Sequence, residues 1–297
     1  MPFQIQGAGF GLRIPHIQEL LATRPPVDWL EVHICNFLGS GLNRALLDAV
    51  AEHYALSFHS VSLNLGGSQE LSDDYLTRLS ITVKELNPGL ISCHACFSAH
   101  EEQYYHDLLP VPFNEQTLIN MTDRVDHIQN RLGRQILIEN VSRYLNYPNM
   151  EMDEQTFLVE LCRRSGSRLL LDLSNIYINA FNLGCDLRAL LINFPIELIG
   201  ELHLGGFSTQ DGLFIDSHCS AIDDGTWQLA KDYLYNQASN PQTKTIPPLL
   251  VEWDQNLPSL STLLEEQKKA QQLIHGAEQQ QRLLTSPKPK LPDLANA

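Results

Sequence analysis

The sequence predicts an α/β fold, a single (β/α)8 TIM barrel, on three observations. The chain has 297 residues, and a barrel of this type typically uses about 250. Eight short apolar segments alternate along it with segments of helical periodicity. The glycine-rich phosphate loop that follows the first strand of an open doubly wound sheet is missing. Eight alternations without that loop favour a closed parallel barrel.

The predicted strands are apolar, β-branched runs bounded by turn residues. In chain order they read FQIQGAGFGL, WLEVHI, ALSFHSV, LISCHAC, QILIENV, RLLLDLSNI, ELIGELHLGG and PLLVEWD. They begin near Phe3, Trp29, Ala55, Leu90, Gln135, Arg168, Glu197 and Pro248. The glycines of GAGFGL predict a tight turn rather than a phosphate site, because no convincing helix start follows them.

Segments with helical spacing separate these strands. They include IPHIQELLATR, NRALLDAVAEHY, SDDYLTRLSITVKELN, EQTLINMTDRVDHIQNRLG and DEQTFLVELCRRSG. The interval 207–245 must hold a long loop as well as a helix at DGTWQLAKDYLYNQ, and SLSTLLEEQKKAQQLIHG is expected to complete the barrel. From Gly276 the composition turns to Gln, Ser, Pro and Lys. We therefore expect a barrel domain over 1–275 and a disordered tail over 276–297.

Composition excludes several classes of protein. A formal net charge of −15 without a run of Lys and Arg argues against nucleic-acid binding, which needs clustered cations. The start of the chain lacks the pattern of a secretory signal, and no segment is apolar enough to span a bilayer. The six cysteines have no paired metal-binding spacing beyond CHAC. We expect a cytoplasmic protein in which most thiols are buried.

Side chains able to bind metals close nearly every predicted strand. They are Glu31, His33, His59, His94, Glu139, Asn140, Asp172, Asn175, His203, Glu252 and Asp254, with Asp216 and His218 in the loop after the seventh strand. The carboxyl ends of barrel strands converge on one mouth. Burying so many unpaired charges there would be costly, and metal ions remove that cost. The sequence thus predicts a metal cluster at the mouth.

The mixture of imidazoles and carboxylates favours iron, manganese or zinc over magnesium, which prefers oxygen ligands. The number of ligands exceeds what one tetrahedral site holds, so two or three ions sharing a carboxylate are expected. Glu139 is the candidate bridge, because it lies in the apolar segment ILIEN of a central strand. The residues do not separate iron from zinc.

Ten motifs in order carry a resemblance to a known family. They are GFGLRIPH, WLEVHICNF, HSVSLNLGG, SCH, DLLPVPF, ILIENVSRYL, LLLDLSNIYINAFN, ELHLGG, IDSH and LLVEWD. From about Gly7 to Leu264 the chain resembles the multinuclear non-haem iron-dependent oxidative enzymes. The resemblance implies two or three iron ions (Fe2+/Fe3+) at a barrel mouth and O2-dependent modification of a cysteine-containing, ribosomally made peptide. It also implies a partner protein that delivers the peptide.

The resemblance further implies a ligand set. It assigns three groups of iron ligands: His59, His94 and Glu139; Glu139, Asp172, His203 and Glu252; and Asn175, Asp216 and His218. In the first group, His59, His94 and Glu139 are also the expected catalytic residues, and no general base is identified. Arg13 and His16 in the RIPH segment are candidates for substrate contact, with a structural role in closing the barrel equally open.

Two thiols depart from the family pattern. Cys93 precedes His94 where relatives commonly read SDH, and Cys35 precedes Asn36 where they read ENY. Cys93 neighbours a ligand on a strand, so its side chain is expected to point to the opposite face and pack there. The loss of two carboxylates near the mouth leaves the identity of the substrate open.

Two other functions remain open at this point. A zinc- or manganese-dependent hydrolase or isomerase on a xylose-isomerase-like barrel would activate water with its metal ions. That function predicts a basic phosphate pocket, for which Arg143 and Arg168 are available. The second alternative is a non-enzymatic metal-binding or interaction module that has kept only the fold.

Overall fold

The protein is a closed barrel of eight parallel strands ringed by helices in a computed structural model that describes residues 5–100 and 103–285. The described strands are β1 (Ala8–Gly11), β2 (Trp29–His33), β3 (Ala55–Ser60), β4 (Leu90–His94), β5 (Cys96–His100), β6 (Gln103–Pro110), β7 (Leu137–Glu139), β8 (Arg168–Asp172), β9 (Ile199–Gly205), β10 (Ser208–Gln210), β11 (Leu213–Ile215) and β12 (Leu249–Glu252). The barrel closes in the order β1-β12-β9-β8-β7-β4-β3-β2. The predicted fold class is confirmed.

Helices follow the barrel strands and cover them. They are α1 (Ile17–Thr23), α2 (Leu42–Ala51), α3 (Asp73–Leu86), α4 (Glu115–Leu132), α5 (Glu154–Ser165), α6 (Leu173–Leu183), α7 (Asp224–Ser239) and α8 (Leu260–Thr285). Side-chain caps begin several of these helices: Asn114 accepts a hydrogen bond from the amide of Thr117 at 2.9 Å, and Asp153 accepts one from the amide of Thr156 at 2.7 Å. Such caps satisfy amides that have no partner within the helix.

Four boundaries differ most clearly from the sequence prediction. β1 begins at Ala8, and the predicted start at Phe3 lies outside the described residues. The segment RLLLDLSNI is not one strand, because α6 begins at Leu173 and places Asn175 in its first turn. The segment LISCHAC divides between β4 and β5. Finally, α8 continues to Thr285, past the predicted tail start at Gly276, and 286–297 lie outside the described residues.

Two antiparallel hairpins were not predicted as such. β5 pairs with β6 after β4, and β10 pairs with β11 after β9. The second hairpin and α7 together fill the interval 207–245, where a long loop and a helix were expected. Both hairpins follow the carboxyl end of a barrel strand and therefore lie on the side of the barrel where its mouth opens.

The floor of the barrel interior is apolar. Ile5, Trp29 and Leu250 form a buried cluster there, separate from the larger core between strands and helices. Gly9 makes room for it, because a β-carbon at this position would lie 2.6 Å from the Trp29 ring. Gly9 lies in β1, where it permits this close packing. The sequence had predicted a tight turn at the glycines of this segment.

None of the helices in the described parts of the chain combines the length and apolarity required to cross a membrane. Of the six cysteines, Cys93, Cys96 and Cys162 are buried, while Cys35, Cys185 and Cys219 are partly or fully exposed. Half of the thiols, rather than most, are therefore buried.

Candidate metal centre

The strand registers bring the predicted metal ligands side by side at the mouth. His33 is opposite His59, His94 is opposite Glu139, and Asp172 is opposite His203. Side chains alternate along a strand, so residues two positions apart share a face. The apolar residues between them, such as Val32 and Ile138, belong to the outer core. This alternation directs one polar row into the barrel.

The first group consists of His59, His94 and Glu139. The Nε2 atoms of His59 and His94 lie 3.2 Å apart. Glu139 Oε2 lies 3.3 Å from His94 Nε2 and 3.5 Å from His59 Nε2. Ser92 Oγ contacts His59 Nδ1 at 2.7 Å, which leaves Nε2 facing the group. Burial lowers the pKa of His94 to about 4. Burial also lowers the pKa of His59 well below its usual value, and the nearby His94 lowers it further. Neutral imidazoles therefore present lone pairs beside a carboxylate.

The second group shares Glu139 with the first. Glu139 Oε1 lies 3.5 Å from His203 Nδ1, and His203 Nδ1 lies 3.2 Å from Glu252 Oε2. Asp172 completes the group, in which ligand atoms lie within 4.8 Å of one another. Glu139 thus directs one oxygen at each group, which is the geometry of a bridging carboxylate.

Asp172 has two functions at the end of β8. Its Oδ1 accepts from the amide of Asn175 at 2.8 Å and caps α6. Its Oδ2 is buried without a hydrogen-bond partner in the described residues. Burial raises the pKa of Asp172 to about 7, and Asp216 adds to the shift, while His218 and His203 oppose it. One oxygen therefore starts a helix and the other is free for a ligand.

The third predicted group is only partly assembled. His218 Nε2 and Asp216 Oδ1 lie 2.7 Å apart, whereas Asn175 is held by Asp172 and donates Nδ2 to the carbonyl of Asn140 at 3.1 Å. The Oδ1 atom of Asn175 is buried and lacks a hydrogen-bond partner among the described residues. The structure therefore pairs Asp216 with His218 and leaves an unsatisfied amide oxygen on α6.

Arg13 fills a further cluster at the rim. His33, Glu252 and Asp254 also have the spacing of a metal site. However, Arg13 Nη2 lies 3.0 Å from His33 Nε2 and 3.1 Å from Glu252 Oε1, and Arg13 also pairs with Asp254. The guanidinium thus supplies the cation for this cluster. His16, by contrast, contacts the carbonyl of Pro258 at 2.9 Å, which favours its structural role.

Two buried carboxylates lie one layer deeper. Glu31 and Glu201 precede His33 and His203 by two positions on β2 and β9, and neither has exposed surface. Glu31 was in the predicted ring, but Glu201 was missed. The signal was present, since ELH in β9 places a second polar residue on the face of His203.

The donor set fits metal ions. Glu139 Oε2, Asp172 Oδ2 and His203 Nδ1 are buried without hydrogen-bond partners in 5–100 and 103–285. An unsatisfied buried polar atom costs about 1–3 kcal/mol, and coordination to a cation would remove that cost. Burial also raises the pKa of Glu139 well above its usual value, against the opposing effect of His203. Imidazoles and carboxylates together suit iron, zinc or manganese.

The charge at Glu252 differs from that at Glu139. Burial alone would raise the pKa of Glu252, but His218, His203 and His33 outweigh it, so the pKa lies well below its usual range. Glu252 is therefore an ionised carboxylate between two groups of imidazoles, as a metal ligand must be.

The remaining sequence candidates lie outside this cluster. Cys93 is buried in the outer core, as predicted, and Cys35 Sγ contacts the hydroxyl of Tyr75 at 3.1 Å. Arg143 pairs with Glu154 at 3.1 Å. Arg168 lies at the amino end of β8 and donates to the carbonyl of Ile199 at 2.5 Å. The two arginines considered for a phosphate pocket are thus engaged elsewhere.

We expect Gly205→Ala to disturb the third group without unfolding the barrel. A β-carbon on Gly205 would lie 2.3 Å from His218 Cδ2, and His218 already has a left-handed backbone with φ of 45°, so the ring must move. The predicted result is a roughly 10–100-fold weaker affinity for one ion, measured by metal titration. Gly39→Ala is the control, because nothing lies within 4 Å of its added carbon. Equal affinities in both variants would contradict the placement of His218 as a ligand.

Comparisons with known proteins extend over the whole barrel. The model of a family described as "RiPP precursor modification enzyme MbnB/TglH/ChrH" matches residues 7–275. A UPF0276 protein of Chromobacterium violaceum is 40% identical over 271 residues, covering 91% of this chain and 96% of the relative. One from Vibrio vulnificus is 38% identical over 274 residues, covering 91% and 92%.

Solved structures with this fold are more distant. Endonuclease IV from Thermus thermophilus has a TM-score of 0.55 at 15% identity, covering 90% of this chain and 99% of that one. D-psicose 3-epimerase from Clostridium cellulolyticum has a TM-score of 0.55 at 11% identity, covering 95% and 100%. These likenesses show a shared fold.

Proposed function

The chain belongs to the family of RiPP precursor modification enzymes MbnB/TglH/ChrH, and on that premise we propose that it is an iron-dependent oxidative enzyme. Its substrate would be a cysteine-containing, ribosomally made peptide, and its oxidant O2. The family implies an enzyme with a peptide substrate. Iron, oxidation and the cysteine target are the finer parts of the proposal.

The observation that carries the proposal is the position of Glu139 between two ligand groups. Its Oε2 faces His59 and His94, and its Oε1 faces His203. A carboxylate that bridges two ions is expected in a multinuclear site. A single metal ion would use only one of these groups and would leave buried polar atoms of the other unsatisfied.

The residues of the three groups named above would hold two or three iron ions. Iron bound there would supply the one-electron and O2 chemistry that no protein side chain provides. Glu139 is 2% exposed and His203 is fully buried, so the ligands keep bulk water away from that chemistry. Arg13 holds Glu252 and Asp254 in place from the rim. The side chains thus orient the ions and exclude competing reactions.

Three expectations accompany this function. A delivery partner for the peptide and a cytoplasmic location stay predictions from the sequence. So does the ability of the site to take zinc or manganese, since the donor set suits all three metals.

The proposal is tested by purifying the protein without oxygen and measuring its metals together with iron spectroscopy. We expect two or three irons per chain, and a mass change in a cysteine-containing precursor peptide only when O2 is admitted. Stoichiometric zinc without iron, and no mass change in the peptide after loading with iron, would contradict the proposal. That result would favour a hydrolase or isomerase instead.

A further inference from the structure

The rim of the barrel mouth carries a further group of side chains with the spacing of a metal site. His33 Nε2 lies 3.3 Å from Glu252 Oε1 and 3.8 Å from Asp254 Oδ2, and the three residues offer ligand atoms within 4.8 Å of one another. Two ligands held about 2.1 Å from one tetrahedral ion lie about 3.4 Å apart. By spacing alone, this rim group could therefore hold an ion.

The guanidinium of Arg13 lies inside the rim group. Its Nε lies 2.8 Å from Asp254 Oδ1, and its Nη2 lies 3.1 Å from Glu252 Oε1 and 3.0 Å from His33 Nε2. A guanidinium has five N–H donors, no acceptor, and a charge that it keeps in proteins. A metal ion could therefore enter the group only by displacing a permanent cation from two carboxylates.

The end of β1 accommodates this guanidinium. A β-carbon on Gly11 would lie 2.8 Å from Arg13 Nη1 and 3.1 Å from its Cζ, so glycine leaves the space that the group fills. The carbonyl of Leu12 accepts from Nη1 at 3.4 Å. Arg13 is 8% exposed, and its partner Glu252 is 4% exposed. The cation is thus packed into the barrel wall, unlike an arginine on an open surface.

We propose that Arg13 is a positioning residue that excludes a metal ion from the rim group and so limits the number of ions in the barrel. Two cations in one poorly hydrated group repel each other strongly. Arg13 also engages Oε1 of Glu252, which leaves Oε2 for the neighbouring groups, 3.2 Å from His203 Nδ1 and 3.6 Å from His218 Nδ1. This inference rests on the metal centre of the proposed function, but not on iron or on oxidation.

The number of zinc ions bound per chain tests the proposal. Each protein is stripped of metal, reloaded with excess zinc, desalted and measured by elemental analysis. We expect Arg13→Leu to hold one zinc ion more than the unchanged protein, because leucine removes the charge and brings no donor atom. Adding His33→Ala to Arg13→Leu should remove that extra ion. Equal zinc numbers in the unchanged protein and in Arg13→Leu would overturn the proposal.

Arg143→Leu is the matched control. Arg143 is also a buried arginine that pairs with a buried carboxylate, Glu154 at 3.1 Å, but that pair belongs to none of the groups with metal-site spacing. This variant should bind as many zinc ions as the unchanged protein. An extra ion in Arg143→Leu as well would show that any unpaired buried carboxylate takes up zinc, and would overturn the specific role of Arg13.

A second measurement needs no variant of Arg13. With Arg13 present the rim group should hold no ion, so His33→Ala alone is expected to keep the zinc number of the unchanged protein. Loss of an ion in that variant would overturn the proposal, even if Arg13→Leu does not fold. Failure of peptide oxidation with all zinc numbers as expected would count against the proposed function alone.

Discussion

Glu139→Gln is expected to lose at least one metal ion and nearly all oxidative activity. The amide has one good acceptor oxygen and a donor nitrogen, so it cannot present oxygens to His94 and His203 together. Partners outside the ligand set typically contribute up to about 100-fold in activity or affinity, and loss of a bridging ligand should exceed that. Elemental analysis of anaerobically purified protein and a peptide turnover assay measure the two effects.

The control for this variant is Glu154→Gln, which removes a buried carboxylate from the Arg143 ion pair instead. It should keep the full complement of ions, although its thermal stability can fall. A Glu139→Gln protein that retains all its iron and its turnover would show that the two groups bind metals independently. The bridging interpretation would then be wrong.

We expect the stability of the metal-free protein to fall as pH rises from about 6.5 to 8.5. Burial, the largest influence, raises the pKa of Glu31 to about 8 and that of Asp172 to about 7. In the unfolded chain both carboxyls lose their protons near pH 4. A folded-state pKa above the unfolded value stabilises the fold at low pH, and that stabilisation is lost as pH rises through the folded pKa.

The histidines determine which pH range is informative. Burial alone would lower the pKa values of His203 and His218. Nearby carboxylates outweigh burial, chiefly Glu31 for His203 and Asp216 for His218, and raise both pKa values well above normal. These two rings therefore act in the same direction as the carboxyls. His59 and His94 have lowered pKa values and act in the opposite direction, but only below about pH 6.5. Above that pH all remaining contributions have one sign.

Thermal unfolding with and without a chelator tests this pH dependence. Each kcal/mol lost should lower the Tm of a chain of this size by about 2–4 °C. The metal-loaded protein should change less, because bound cations keep the carboxylates ionised and the imidazoles neutral throughout the range. A metal-free Tm that stays constant or rises between these pH values would contradict the expected protonation of the buried groups.

Much of the site was predictable because the position of a residue within a barrel strand determines where its side chain points. Glu139, Asp172 and His203 each lie at or near the carboxyl end of a strand, and parallel registers place such ends at one mouth. The sequence alone could therefore identify which residues come together. It could not show that the two oxygens of Glu139 face different groups, because that depends on the side-chain rotamer and on the barrel stagger.

Other features depended on three-dimensional packing. Asn175 was expected at a strand end, but Asp172 caps α6 directly after β8 and places Asn175 in a helical turn. The role of Arg13 was open, since its partners Glu252 and Asp254 lie about 240 positions away in sequence. Glu201 was not in the predicted ring, although it precedes His203 in β9 as Glu31 precedes His33 in β2. Residues two positions earlier share the same face.

The double use of Asp172 joins two layers of the protein. The same carboxyl group faces the metal centre through Oδ2 and starts α6 through Oδ1. A substitution of Asp172 would remove a proposed metal ligand and also the side-chain cap of α6, so its effects on metal binding and on folding would appear together. The proposed ligands inside the barrel and the helices outside it are therefore parts of one structural unit.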